Sequence, residues 1–169
     1  MSDVRKIKHK ITTRLRGGRP VERVYRSLIR QAVLVTLRSE EVDIPCVVNV
    51  LITNDEEIRK YNREYRGIDK ATDVLSFPMQ SFKHPGWKGL FKIDIDKDTG
   101  ELPLGDIVIS TETVRRQASK YRNTIEHETT FMIIHSVFHL LGYSHDTNFN
   151  ERTMHNKEKF IMREMGYVE

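Results

Sequence analysis

Apolar residues recur at helical spacing from Val21 through Val24, Tyr25, Leu28, Ala32 and Val35 to about Leu37, behind a proline suited to a first turn, Pro20. The opposite face shows Arg23, Arg26 and Arg30, so the pattern predicts an amphipathic helix. The period then changes. Cys46–Thr53, after Pro45, is a β-branched run and predicts a central strand. Asn54 is a good N-cap, with Glu56 and Glu57 in the first turn, where the helix dipole favours acids. Ile58, Tyr61, Asn62 and Tyr65 carry that helix to its stop at Gly67, and residues 74–77 predict a further strand. Strand, helix, strand over residues 46–78 predicts a right-handed crossover joining two parallel strands. Residues 91–95 and 104–109 predict hairpin arms around Asp98-Thr99-Gly100-Glu101. Ser110 can cap a helix edged by Val114, Ala118 and Tyr121, and Asn150 a last one carrying Met154, Ile161, Met162 and Met165.

Residues 124–141 break the amphipathic rule. Phe131, Met132, Ile133, Ile134, Val137, Phe138, Leu140 and Leu141 make this helix apolar nearly all round, which predicts a path through the core. Yet it carries His135 and His139, four residues apart and so on one face. Gly142 can end the helix and turn His145 back toward the same point. A single histidine on an apolar helix is usually a satisfied core residue. Two at this spacing with a third beyond the glycine predict a metal site, since three imidazoles with an open fourth position describe catalytic Zn²⁺. His127, two turns earlier on a similar face, reads as exposed near the helix start or else as a group supporting the ligands from behind. The spacing is that of the metzincin motif, but Ser136 stands where that motif has its general-base glutamate. A serine hydroxyl takes no proton at neutral pH without a base of its own.

The chain has 169 residues, 38% hydrophobic and 31% charged, which indicates a single globular domain. The fold expected is α+β: a mixed sheet of roughly four strands packed with about five helices, the metal site on a central helix. No apolar run approaches the ~20 residues of a membrane span. The start, Met-Ser-Asp-Val-Arg-Lys, lacks the apolar region of a signal peptide. The lone cysteine, Cys46, excludes an internal disulfide and reads as a buried thiol. Together these features predict a cytoplasmic protein. The net charge of +4 is uneven: residues 1–30 hold ten basic against two acidic residues, the remainder 18 against 22. Residues 1–19, with Gly17-Gly18, read as a basic flexible arm before a domain over residues 20–169. Such an arm suits a polyanion such as nucleic acid, or is simply a solvated tail.

Three stretches carry a family resemblance: His135-x-x-x-His139-Leu-x-Gly142-Tyr143-x-His145, Tyr65-Arg66-x-x-Asp69-x-x-Thr72-Asp73-Val74-Leu75-Ser76-Phe77-Pro78, and Leu104-Gly105-Asp106-Ile107-x-Ile109-Ser110. Over residues 45–165 the chain resembles the YbeY family of bacterial endoribonucleases. The resemblance implies a zinc-dependent, single-strand-specific endoribonuclease acting in 16S rRNA 3′-end maturation and ribosome quality control, with ribosomal particles as partners. It implies His135, His139 and His145 as metal ligands and Arg66 as the functional arginine. Two positions depart from the family's usual residues: Ser136 where glycine is usual, and Ser144 where aspartate is usual.

The residues suit phosphodiester hydrolysis. Arg66 can offer bidentate donors to phosphate, or else pair with Asp69 or Asp73. Asp146 can orient a histidine, or be an exposed loop carboxylate. Two other readings use the same histidines: a metzincin-like metalloprotease, which needs a base in place of the absent glutamate, and a non-catalytic ribosome-associated zinc protein. Structural zinc usually has four protein ligands, and no fourth stands at motif spacing.

Overall fold

The computed structural model describes residues 6–18 and 20–168. In chain order its elements are β1 (Lys10–Leu15), α1 (Arg23–Ser39), β2 (Cys46–Thr53), α2 (Asp55–Arg66), β3 (Val74–Pro78), β4 (Ser81–Phe82), β5 (Leu90–Phe91), β6 (Leu102–Ser110), α3 (Thr111–Tyr121), α4 (Ile125–Leu140) and α5 (Asn148–Glu164). Four strands form a mixed sheet in the order β1-β2-β6-β3, and β4 and β5 pair separately. The α+β class, the four-stranded mixed sheet and the five α-helices are as expected from the sequence.

Caps form where the side chains allow them. Asn54 accepts from the Glu57 N–H, Ser110 from Thr113 and Thr124 from His127. Gly67 closes α2 in the left-handed conformation. The last helix starts earlier than expected: Thr147, not Asn150, is its cap and accepts from the Asn150 N–H.

One sheet face and four helices, α1, α3, α4 and α5, make the main core. Cys46, Val48, Val50 and Ile52 of β2 meet α1 and α4, whose Ile134, Phe138 and Leu140 are fully buried. The Cys46 thiol is buried and pushed up to about 12 by burial and by the nearby Asp43 charge. Behind the sheet, α2 contributes a smaller cluster of Ile58 on Leu75 and Val108. Among the described residues no helix is long and apolar enough to cross a membrane.

Three expectations are corrected. The flexible arm over residues 1–19 gives way to β1 at Lys10–Leu15, an edge strand parallel to β2 with Ile11 and Leu15 packed on the core. Residues 1–5 and 19 of that arm lie outside the described residues. Its polar sequence is that of an edge strand, where charged residues discourage pairing with other chains. The crossover of residues 46–78 does not hold either. β3 pairs antiparallel with β6, and β2 takes its parallel partners from β1 and β6. Nor is there a hairpin between residues 91–95 and 104–109: β5 pairs with β4, and β6 lies inside the main sheet. A strand as apolar as β6 finds partners on both sides, which a hairpin at the surface could not supply.

Candidate metal centre

The end of α4 builds the site. The Gly142 N–H donates to the His139 carbonyl and the Tyr143 N–H to Phe138, a Schellman closure with Gly142 at φ +88°. A Cβ on Gly142 would come within 2.7 Å of the Phe82 ring, so both conformation and space require glycine here. The Tyr143 ring packs edge-on to Phe138, 5.4 Å between centroids, completing the apolar contact of that closure. The chain then runs back past the helix end, bringing His145 beside His135 and His139.

Hydrogen bonds set the two helical imidazoles. His139 Nδ1 lies 2.9 Å from the Tyr143 carbonyl, which can only accept, so Nδ1 carries the proton. His135 Nδ1 lies 2.7 Å from Glu158 Oε1 on α5, and a carboxylate likewise only accepts. The Nε2 atoms of the two rings face one another at 3.0 Å. Burial, and the neighbouring imidazole of His135, lower the His139 pKa to about 4, so this ring is neutral at pH 7.

One nitrogen from each of His135, His139 and His145 falls within 4.8 Å of the others. A tetrahedral ion with bonds of ~2.1 Å needs nitrogens about 3.4 Å apart. The donor set thus fits a metal ion: three imidazoles, two of them held through Nδ1, with His145 exposed.

The three histidines line a cleft of about 490 Å³ with Arg66, Thr72, Asp73 and β3. Arg66 closes α2 and is exposed. The carboxylates offered as its alternative partners are engaged elsewhere, Asp69 by Arg59 and Asp73 by Gln117 and the Val74 N–H. The structure therefore brings Arg66 to the same cleft as all three histidines.

Of the two readings of Asp146, the structure matches the loop carboxylate. It accepts from Ser144 and Asn150, and those bonds hold its pKa below the usual carboxylate range. The orienting carboxylate is Glu158, which the sequence reading missed. Its signal was present: Glu158 lies among Met154, Ile161 and Met162 on the buried side of α5, where an unpaired acid is costly. Asp73 was likewise missed as the carboxylate lining the cleft. Ser136 is wholly buried, with its hydroxyl unpartnered, and does not line the cleft. His127 is half-buried, edge-on to Tyr167 at 5.1 Å, and outside the cleft.

Comparison with known proteins agrees with this geometry. The family model described as Endoribonuclease YbeY matches residues 13–166. A relative named Endoribonuclease YbeY from Acetivibrio thermocellus is 40% identical over 142 residues, covering 82% of this chain and 85% of the relative. One of the same name from Caldanaerobacter subterraneus subsp. tengcongensis is 41% identical over 140 residues, covering 83% and 87%. The solution structure of a Thermotoga maritima protein shares the fold at a TM-score of 0.57 and 24% identity, over 92% of this chain and 87% of that one. With the family match running through β1, the sheet and the histidine helix, the chain belongs to the Endoribonuclease YbeY family.

Proposed function

We propose that this chain is a zinc-dependent, single-strand-specific endoribonuclease of the cytoplasm that matures the 3′ end of 16S rRNA and acts on ribosomal particles in their quality control. Its membership in a family of endoribonucleases supports the reaction class. The observation that carries the mechanism is the convergence of His135, His139 and His145 in one cleft with Arg66.

The three histidines would hold the ion. Bound there, zinc would lower the pKa of water toward ~7 and stabilise charge on a phosphoryl oxygen. Arg66 presents its planar fork to the scissile phosphate and holds it against the histidine wall. Glu158 and the Tyr143 carbonyl keep the two helical rings aimed at the cleft. The proton released in hydrolysis passes to a phosphate oxygen or to Asp73, the carboxylate lining the cleft. A metzincin-like protease is disfavoured, because the position of its base is a serine buried away from the cleft.

The test compares labelled single-stranded RNA, duplex RNA, a 16S rRNA precursor with an unprocessed 3′ end, and casein, each with and without chelator. Chelator-sensitive cleavage of the single strand and the precursor is expected. Digestion of casein, or equal cleavage of duplex and single strand, contradicts the proposal.

A further inference from the structure

The two faces of the sheet are unequally covered. α1 and α4 fill one, whereas the other carries α2, packed on Leu75 and Val108. Beside that covered strip, the strand register aligns Thr12, Asn49, Asp106 and Phe77 in one row across all four strands. The row floors a groove of about 540 Å³, walled by Tyr61 and Tyr65 of α2 and bordered by exposed Arg14.

The groove mixes aromatic faces with fixed polar groups. Tyr65 stands edge-on to Phe77, 5.2 Å between centroids at 69°, and nearly parallel to Tyr61 at 6.3 Å and 15°. At 61% exposed, Tyr65 does little to hold the fold together. Thr12 donates to Asn49 Oδ1, and Asn49 Nδ2 donates to Asp106 Oδ1 at 2.9 Å. These bonds fix the orientation of the amide, and Asp106 lines the groove beside it. A carboxylate in the floor repels phosphate but accepts from the amino group of a base. Among the described residues the one cation of the lining, Arg14, lies on β1.

The groove and the metal cleft also share an edge. Tyr65 lines the groove and the next residue, Arg66, lines the cleft; Phe77 lines the groove and its neighbours Ser76 and Pro78 line the cleft. Alternation along β3 sets the two sites on either side of one edge strand.

We propose that this open sheet face is a base-binding platform for single-stranded RNA whose phosphate is held in the metal cleft. Bases stack on Tyr65 and Phe77, and Asn49 with Asp106 hydrogen-bonds their edges. The chemistry is that by which open sheets take unpaired bases: aromatic faces for stacking, side-chain amides and carboxylates for base edges. The proposal rests on the ribonuclease reading of the cleft.

The test measures, by stopped-flow before turnover, the affinities for a long RNA of about 12 nucleotides and a short one of about 4, with 2-aminopurine in the long strand. Wild-type protein is expected to prefer the long strand, to quench its 2-aminopurine, and to lose roughly 5- to 150-fold of that preference in Tyr65→Leu. Tyr65→Phe keeps the ring and should restore it, and Phe77→Leu supplies a second variant should Tyr65→Leu fold poorly. An unchanged long-to-short ratio in both leucine variants, or a Tyr65→Phe as defective as Tyr65→Leu, overturns the platform. If wild-type protein binds and cleaves both RNAs with no preference for length, the platform alone fails and the active-site reading stands. If it binds neither, both fail together.

Discussion

Glu158 Oε1 on α5 lies 2.7 Å from His135 Nδ1 on α4, across 23 residues of sequence. This contact ties the last helix to the metal centre. The carboxylate accepts from Nδ1–H and so leaves Nε2 as the nitrogen that would ligate zinc. Glu158→Gln keeps an acceptor but removes the charge. It should lower zinc affinity roughly 10- to 100-fold in competition with a chelator, while the fold persists. Unchanged affinity would reduce Glu158 to a packing role.

Arg66 should behave as a phosphate grip. Arg66→Lys keeps the charge and loses the fork, so most RNA cleavage should disappear with zinc content and melting temperature unchanged. Arg66 is exposed, and the acids near it are committed to other partners, so no structural loss should accompany the change. Full activity in this variant would remove Arg66 from the mechanism.

Ser136 should be dispensable. Its hydroxyl is buried and unpartnered, so Ser136→Gly removes an unsatisfied group at a helix-propensity cost of up to ~1 kcal/mol. Zinc binding and cleavage should both stay close to wild type. Loss of cleavage with zinc still bound would make the serine catalytic.

The N-terminal segment should matter to the fold before it matters to affinity. Lys10–Leu15 pairs along its whole length with β2, and the Cys46 N–H donates to His9 Nδ1. Deleting residues 6–15 should therefore lower the melting temperature and expose the edge of β2, whatever it does to RNA binding. A truncated chain that melts like the full one would return this segment to the role of a solvated arm.

The pattern of apolar residues showed α1, α2, α4 and β2 with little error: α1 is long and periodic, α2 and α4 are capped by Asn54 and Thr124, and β2 is a β-branched run. Pairing was harder to read. Nothing in Val74-Leu75-Ser76-Phe77 says whether the strand runs parallel or antiparallel to its neighbour; that is decided by where α4 and α2 pack. β1 was hidden because Lys10, Thr12 and Arg14 face an open side, leaving Ile11 and Leu15 as a weak apolar signal among charges. That the three histidines and Arg66 meet in one cleft was legible because each lies within a short motif. Glu158 was not, since its partner is distant in sequence and only the packing of α5 on α4 joins them.

The most direct measurement is a zinc titration of chelator-stripped protein, with bound metal and cleavage of labelled single-stranded RNA followed together. The expected result is cleavage that rises in proportion to bound zinc, saturates at a single ion per chain, and is absent with the zinc site in His139→Ala. Undiminished cleavage by the stripped protein, or by His139→Ala, would contradict a metal centre built from His135, His139 and His145.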